Sequence, residues 1–206
     1  MVRTLNIRRW LFLFISTLLV GGITIIITNM IVGWGDLTGG LDDPDELVAA
    51  GIWIFIVGLM FSVISQMGFF AYLTIHRFGL GIFKTHKLWN GVQIMIIAFT
   101  FFDLVYLRYL AFAQAGQSWA DFMLLPTVLL IVALIGGYLK AKFTNQHAFI
   151  PAVFFLYVVT TIEIVPAVTQ NDVVWVTLML STILVCNLWQ LLILQKLTAP
   201  ASKKSA

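Results

Sequence analysis

Residues 48–75 read VAAGIWIFIVGLMFSVISQMGFFAYLTI, a run without a single Asp, Glu, Lys, Arg or His. At 1.5 Å per residue a helix of this length more than crosses about 30 Å of hydrocarbon. The run is apolar on every face, whereas a membrane barrel strand alternates apolar and polar over about ten residues. It is therefore predicted to be a membrane-spanning helix. Working outward, five more runs of the same kind appear, at 10–31, 88–107, 122–139, 148–168 and 173–194. The expected fold is all-α: a polytopic membrane bundle of six transmembrane helices, forming one integral membrane domain over 1–206. Composition agrees, with 61% of the 206 residues hydrophobic and 10% charged, against about 25% charged in an average soluble domain. A soluble globular protein is excluded, and no stretch is left for a separate soluble domain.

The charges between the runs set an orientation. Arg3, Arg8 and Arg9 precede the first run, and an acidic loop with Asp36, Asp42, Asp43, Asp45 and Glu46 follows it. Arg77, Lys84 and Lys87 come next, then Arg108 and Asp121, then Lys140 and Lys142, then Asp172, and last Lys196, Lys203 and Lys204. Eleven of the twelve Lys and Arg thus fall on one side. Lys and Arg in short loops are retained in the cytoplasm, so both termini are expected there and the loop from Gly33 to Leu47 outside. The formal charge of +3 follows from this topology and calls for no nucleic-acid partner. The first run is too long for a signal-peptide core and lacks a small-residue cleavage site, so it is expected to stay as an anchor in the cell membrane. The three helix pairs share no motif, so the inverted repeat of many transporters is missing.

Polar groups in hydrocarbon are costly and point to function or to helix association. Two levels are expected. Toward the outside, Asp103 and Glu163 lie a few residues before their helix ends, with Arg108 nearby. Two carboxylates and a guanidinium that met there would form a solute, proton or ligand-sensing site; the plainer alternative is an ion pair that fixes packing. Toward the cytoplasm, Gln66, Asn90, Gln93, Asn187 and Gln190 come from three helices at comparable depth. Asn90 with Gln93 and Asn187 with Gln190 are spaced i to i+3, on one helix face. Such amides serve as interhelical glue or as a polar switch.

Between the second and third runs His76, Arg77, Gly79, Gly81, Lys84 and Lys87 mark a basic, glycine-punctuated turn, suited to an anionic lipid surface or to a cytoplasmic partner. Pro166 lies three residues after Glu163 and predicts a kink or an early helix end there, exposing Glu163 to outside water. Gly58 with Ser62, and Gly136 with Gly137, mark close helix contacts. The catalytic inventory is poor: no G-x-S-x-G elbow, H-E-x-x-H pair, Walker loop or G-x-G-x-x-G occurs. The single cysteine, Cys186, allows no intramolecular disulfide. His76, His86 and His147 map to the cytoplasmic interface without a carboxylate to support a metal. No enzyme activity, cofactor or metal is expected.

Three stretches resemble a known family: QMGFFAYLTIHRFGLGIF at 66–83, AFTFFDLVYLRYLAF at 98–112 and AFIP at 148–151. They are similar to the KinB-signalling-pathway activation proteins (KbaA) of spore-forming Gram-positive bacteria, and the likeness extends to the six-helix layout. The resemblance implies a membrane regulator, itself no kinase, needed by a membrane sensor histidine kinase that feeds the sporulation phosphorelay. It carries over no catalytic residue. The competing expectation is a small-solute or proton-coupled transporter or ligand sensor built on Asp103, Arg108 and Glu163. The lipid bilayer is a partner on either view, and a homo-oligomer stays open.

Overall fold

A computed structural model describes residues 7–33, 43–170 and 172–198. Arg3, Asp36, Asp42, Lys203 and Lys204, and the side chain of Lys196, lie outside the described residues. The described chain is helical, without a strand. We label its long helices α1 (Ile7–Thr28), α2 (Pro44–Phe83), α3 (His86–Phe112), α4 (Leu124–Phe143), α5 (Phe149–Phe154, a π-helical segment Phe155–Val159, then Thr160–Val168) and α6 (Val173–Thr198). Six helices among the described residues are long and apolar enough to cross a membrane.

Three of the helices begin on a side-chain cap. Asp43 caps α2 by accepting from the Asp45 N–H, with Pro44 at the first helical position, where a missing N–H costs nothing. The Thr85 hydroxyl accepts the Leu88 N–H at the start of α3. Asp172 accepts the Trp175 N–H at the start of α6. The α2–α3 hairpin closes over Lys84 and Thr85 alone, with Lys84 in the left-handed region at φ 58°. The expected glycine-punctuated turn does not form: Gly79 and Gly81 are both helical residues of α2. A Cβ on Gly79 would strike the Trp89 indole, whereas Gly81 faces open space.

The centre of the bundle is α5, whose residues 151–161 form an unbroken buried run. It packs against α2, α3, α4 and α6, while α1 lies against α2 and α6. Small residues set the close approaches. A Cβ on Gly58 would meet Ile25 and the backbone of Gly21 and Gly22, and Gly136 and Gly137 lie against Leu156 and Val153 of α5. The core has two apolar layers. One holds Phe69, Tyr72, Leu129, Ala133, Phe154, Phe155, Leu156 and Leu191. The other, toward the α2 N-terminus, holds Ile54, Val57, Phe61, Ile164, Ala167, Met179 and Ile183. The outward faces are apolar as well, with Ile23, Met60, Met67, Phe99 and Phe102 all exposed.

Helix α5 departs from expectation. It neither ends nor breaks at Pro166, which sits inside the segment Thr160–Val168. The irregularity comes earlier, in the π segment Phe155–Val159. Glu163 is only 8% exposed, so the expected opening to outside water is absent.

Candidate functional site

Between the two apolar layers lies a polar one, contributed by α2, α5 and α6. Gln190 Nε2 donates to Ser65 Oγ at 2.7 Å, and Ser65 Oγ donates to Asn187 Oδ1 at 2.7 Å. Asn187 Nδ2 then donates both hydrogens, to Thr160 Oγ1 at 2.9 Å and to Glu163 Oε2 at 2.6 Å. The donors all run one way, from Gln190 through Ser65 and Asn187 to the Glu163 carboxyl group. Bonds so aligned polarise one another, and in a low dielectric the network is worth more than its separate pairs. Ser65, Thr160, Asn187 and Gln190 are fully buried. One turn along α6, Cys186 sits 3.6 Å from the Ser62 hydroxyl and 3.7 Å from the Thr17 carbonyl, which extends the layer to α1.

The network is not closed. Glu163 Oε1 and Gln190 Oε1 have no hydrogen-bond partner, nor do Gln66 Nε2, both amide atoms of Gln93 and the Tyr157 hydroxyl. A buried polar group left unpaired costs about 1–3 kcal/mol. Glu163 Oε1 lies over the bare Cα of Gly68, where a Cβ would collide with it. The π segment ends one residue before Thr160, and such bulges concentrate at functional sites because they re-aim side chains within a continuous helix. The arrangement holds three helices together through groups able to exchange partners. It contains no paired nucleophile and base.

The two expected levels are redrawn by this geometry. Glu163 does not share a site with Asp103 and Arg108. It joins Asn187 and Gln190 of the expected inner cluster, adding Ser65, Thr160 and Gly68, none of which stood out in the sequence. Asp103 and Arg108 instead line a groove of about 460 Å³ with Thr161 and Val165 of α5. Those two residues lie on the opposite side of α5 from Glu163, because positions two apart on a helix point about 200° from each other. Gln66 and Gln93 are buried. Asn90 is half-buried.

At the hairpin end His76 Nδ1 accepts from Trp89 Nε1 at 3.0 Å, and Phe83 stacks on the Trp89 ring at 5.5 Å. This clasp fixes the turn, while Arg77, Lys84 and Lys87 are exposed. Lys140 differs from the other basic residues: it is buried and donates to the Leu191 carbonyl of α6 at 2.6 Å. Arg9 likewise donates to the Leu197 carbonyl. Among the described residues no three His, Cys, Asp or Glu side chains are grouped to hold a metal ion.

Comparison with known proteins adds the biological setting. Residues 21–197 match the model of the KbaA family, described as KinB-signalling pathway activation in sporulation. The chain is 40% identical over 188 residues to the KinB-signaling pathway activation protein of Bacillus subtilis (strain 168), covering 90% of this chain and 95% of that one. No solved structure matches.

Proposed function

The chain belongs to the KbaA family of KinB-signalling pathway activation, and from that premise we propose that it is a non-enzymatic membrane regulator. It supports a membrane sensor histidine kinase that feeds the sporulation phosphorelay, and it lies in the cell membrane with both termini cytoplasmic. The observation that carries the proposal is the 40% identity, along nearly the whole chain, to a protein named for activating the KinB pathway. Six long apolar helices with apolar outward faces support the membrane placement, since soluble monomers expose only limited apolar patches. The polar layer supports regulation: helices tied by exchangeable hydrogen bonds can hold two arrangements, and a partner that binds one of them better shifts the balance. The basic hairpin tip at Arg77, Lys84 and Lys87 supplies a contact for the kinase on the cytoplasmic side. The signalling reading is preferred to the transporter alternative because Glu163 bonds Asn187, while Asp103 and Arg108 line a groove with Thr161 and Val165.

The test is complementation. Expression in Bacillus subtilis lacking its own KinB-signaling pathway activation protein should restore spore counts, and crosslinking through Lys84 or Lys87 should capture a histidine kinase. Asn187→Leu should insert normally yet lower the spore count. Full-length protein in the membrane that restores no sporulation and captures no kinase overturns the proposal.

A further inference from the structure

A second feature lies apart from the polar layer, along the N-terminal half of α6. Val173, Val176, Thr177, Leu180, Ser181 and Leu184 recur at helical spacing and form one wall of a groove of about 520 Å³. The spacing from Val173 to Leu184 corresponds to about 16 Å of helix, from the α6 N-terminus toward mid-bundle. Leu124, Leu125 and Val128 of α4 form the other wall. Leu124, Val128 and Val173 are exposed, so the groove opens sideways toward where lipid would lie.

Its mouth is charged. Arg108, Asp121 and Asp172 line it together. The Arg108 guanidinium lies 5.9 Å from the Phe122 ring centroid, which orients it. Each carboxylate is held by one oxygen: Asp121 Oδ2 accepts the Ser118 N–H at 2.8 Å, and Asp172 Oδ1 accepts the Trp175 N–H at 3.0 Å. A guanidinium and two carboxylates above an apolar slot match an amphiphile that carries both charges in its head. The guanidinium fork suits phosphate oxygens, and the carboxylates suit an ammonium.

We propose that this groove binds a phospholipid with a zwitterionic ammonium–phosphate headgroup, its phosphodiester on Arg108, its ammonium on Asp121 and Asp172, and one acyl chain along α6. The proposal goes beyond the signalling role and does not depend on it. It gives α6 a ligand along its N-terminal half, where Leu180 and Leu184 of the groove lie seven and three residues before Asn187 on the same side of the helix, so occupancy of the groove bears directly on the helix that carries the polar layer.

The experiment is lipid retention by the purified full-length protein. Protein from vesicles of phosphatidylglycerol with phosphatidylethanolamine is delipidated stepwise in detergent, and the retained lipids are identified by native mass spectrometry. The expected result is one phosphatidylethanolamine per chain held after phosphatidylglycerol has been lost. Asp121→Asn with Asp172→Asn retains at each position a side-chain oxygen able to accept the Ser118 or Trp175 N–H. It should remove the preference for phosphatidylethanolamine by about tenfold, the scale of two partly screened ion pairs. Arg108→Gln should release both lipids early. Equal retention of the two lipids by wild type, or a preference unchanged in the double Asn variant, overturns the proposal. The double Asn variant should keep the wild-type unfolding temperature, so lost preference in a folded protein is readable even if Arg108→Gln is unstable. Spore counts play no part in this readout, so its failure stays distinct from failure of the signalling proposal.

Discussion

Asn187 makes three hydrogen bonds to other side chains: it accepts from Ser65 and donates to Thr160 and Glu163. Interhelical hydrogen bonds in membrane proteins average about 0.6 kcal/mol, so Asn187→Leu should cost about 2 kcal/mol. Thermal unfolding in mild detergent would measure this. Adding Glu163→Leu should recover part of the loss, because the carboxylate then no longer lacks its partner, and the cycle should show coupling of about 1 kcal/mol. Strict additivity would mean that the two residues do not form one unit. Gly68 tests the same site from the other side. Gly68→Ala drives a methyl group into the Glu163 carboxylate and should cost about 1–3 kcal/mol. At Gly51 an added Cβ meets nothing within 4 Å, so Gly51→Ala should gain up to about 1 kcal/mol from helix propensity alone. Equal unfolding temperatures for the two alanine variants would contradict the packing of α2 on Glu163.

Individual helices were legible because hydrocarbon leaves the backbone few choices: a long apolar run must satisfy its own N–H and C=O groups, and a helix does so. Their rotations were not. Counting residues from helix ends placed Glu163 beside Asp103 and Arg108, but depth says nothing about which way a side chain faces. The π segment Phe155–Val159 compounds this, since one extra residue turns everything after it by about 100°, and no residue in FLYVV announces it. The amides of Asn187 and Gln190 stood out as polar atoms in apolar runs, whereas Ser65 and Thr160 are small enough to pass for packing residues. At the α2–α3 hairpin, glycines drew attention to the wrong positions; the left-handed residue is Lys84. An L side chain there costs about 1–2 kcal/mol. Lys84→Gly should therefore stabilise the protein by about 0.5 kcal/mol, once the looser unfolded chain is counted, while Lys84→Ala should not. If the ammonium contacts the kinase, both variants should lower sporulation alike, so unfolding temperature and spore count together separate the turn's structural role from its signalling one.

For the molecule as a whole, the proposed orientation rests on charge, but not every charge bears on it. Of the eleven basic residues assigned to one side, Lys140 and Arg9 are committed to carbonyls of α6, ties that would form whichever way the bundle faced. The exposed Arg77, Lys84, Lys87 and Lys142 still sit at the same end, and these solvated charges oppose translocation. Cys186 allows a direct check. It is fully buried between Thr17 and Ser62, so the wild-type thiol should resist a membrane-impermeant maleimide in intact cells. In a Cys186→Ala background, single cysteines at Asp45 and Ala115, both exposed at one end of the bundle, should be labelled. Single cysteines at Lys87 and Gln146, exposed at the other end, should be labelled only after the cells are opened. The reverse pattern would place the basic hairpin outside, out of reach of a cytoplasmic kinase domain, and would leave contact within the membrane as the route by which the polar layer could influence a kinase.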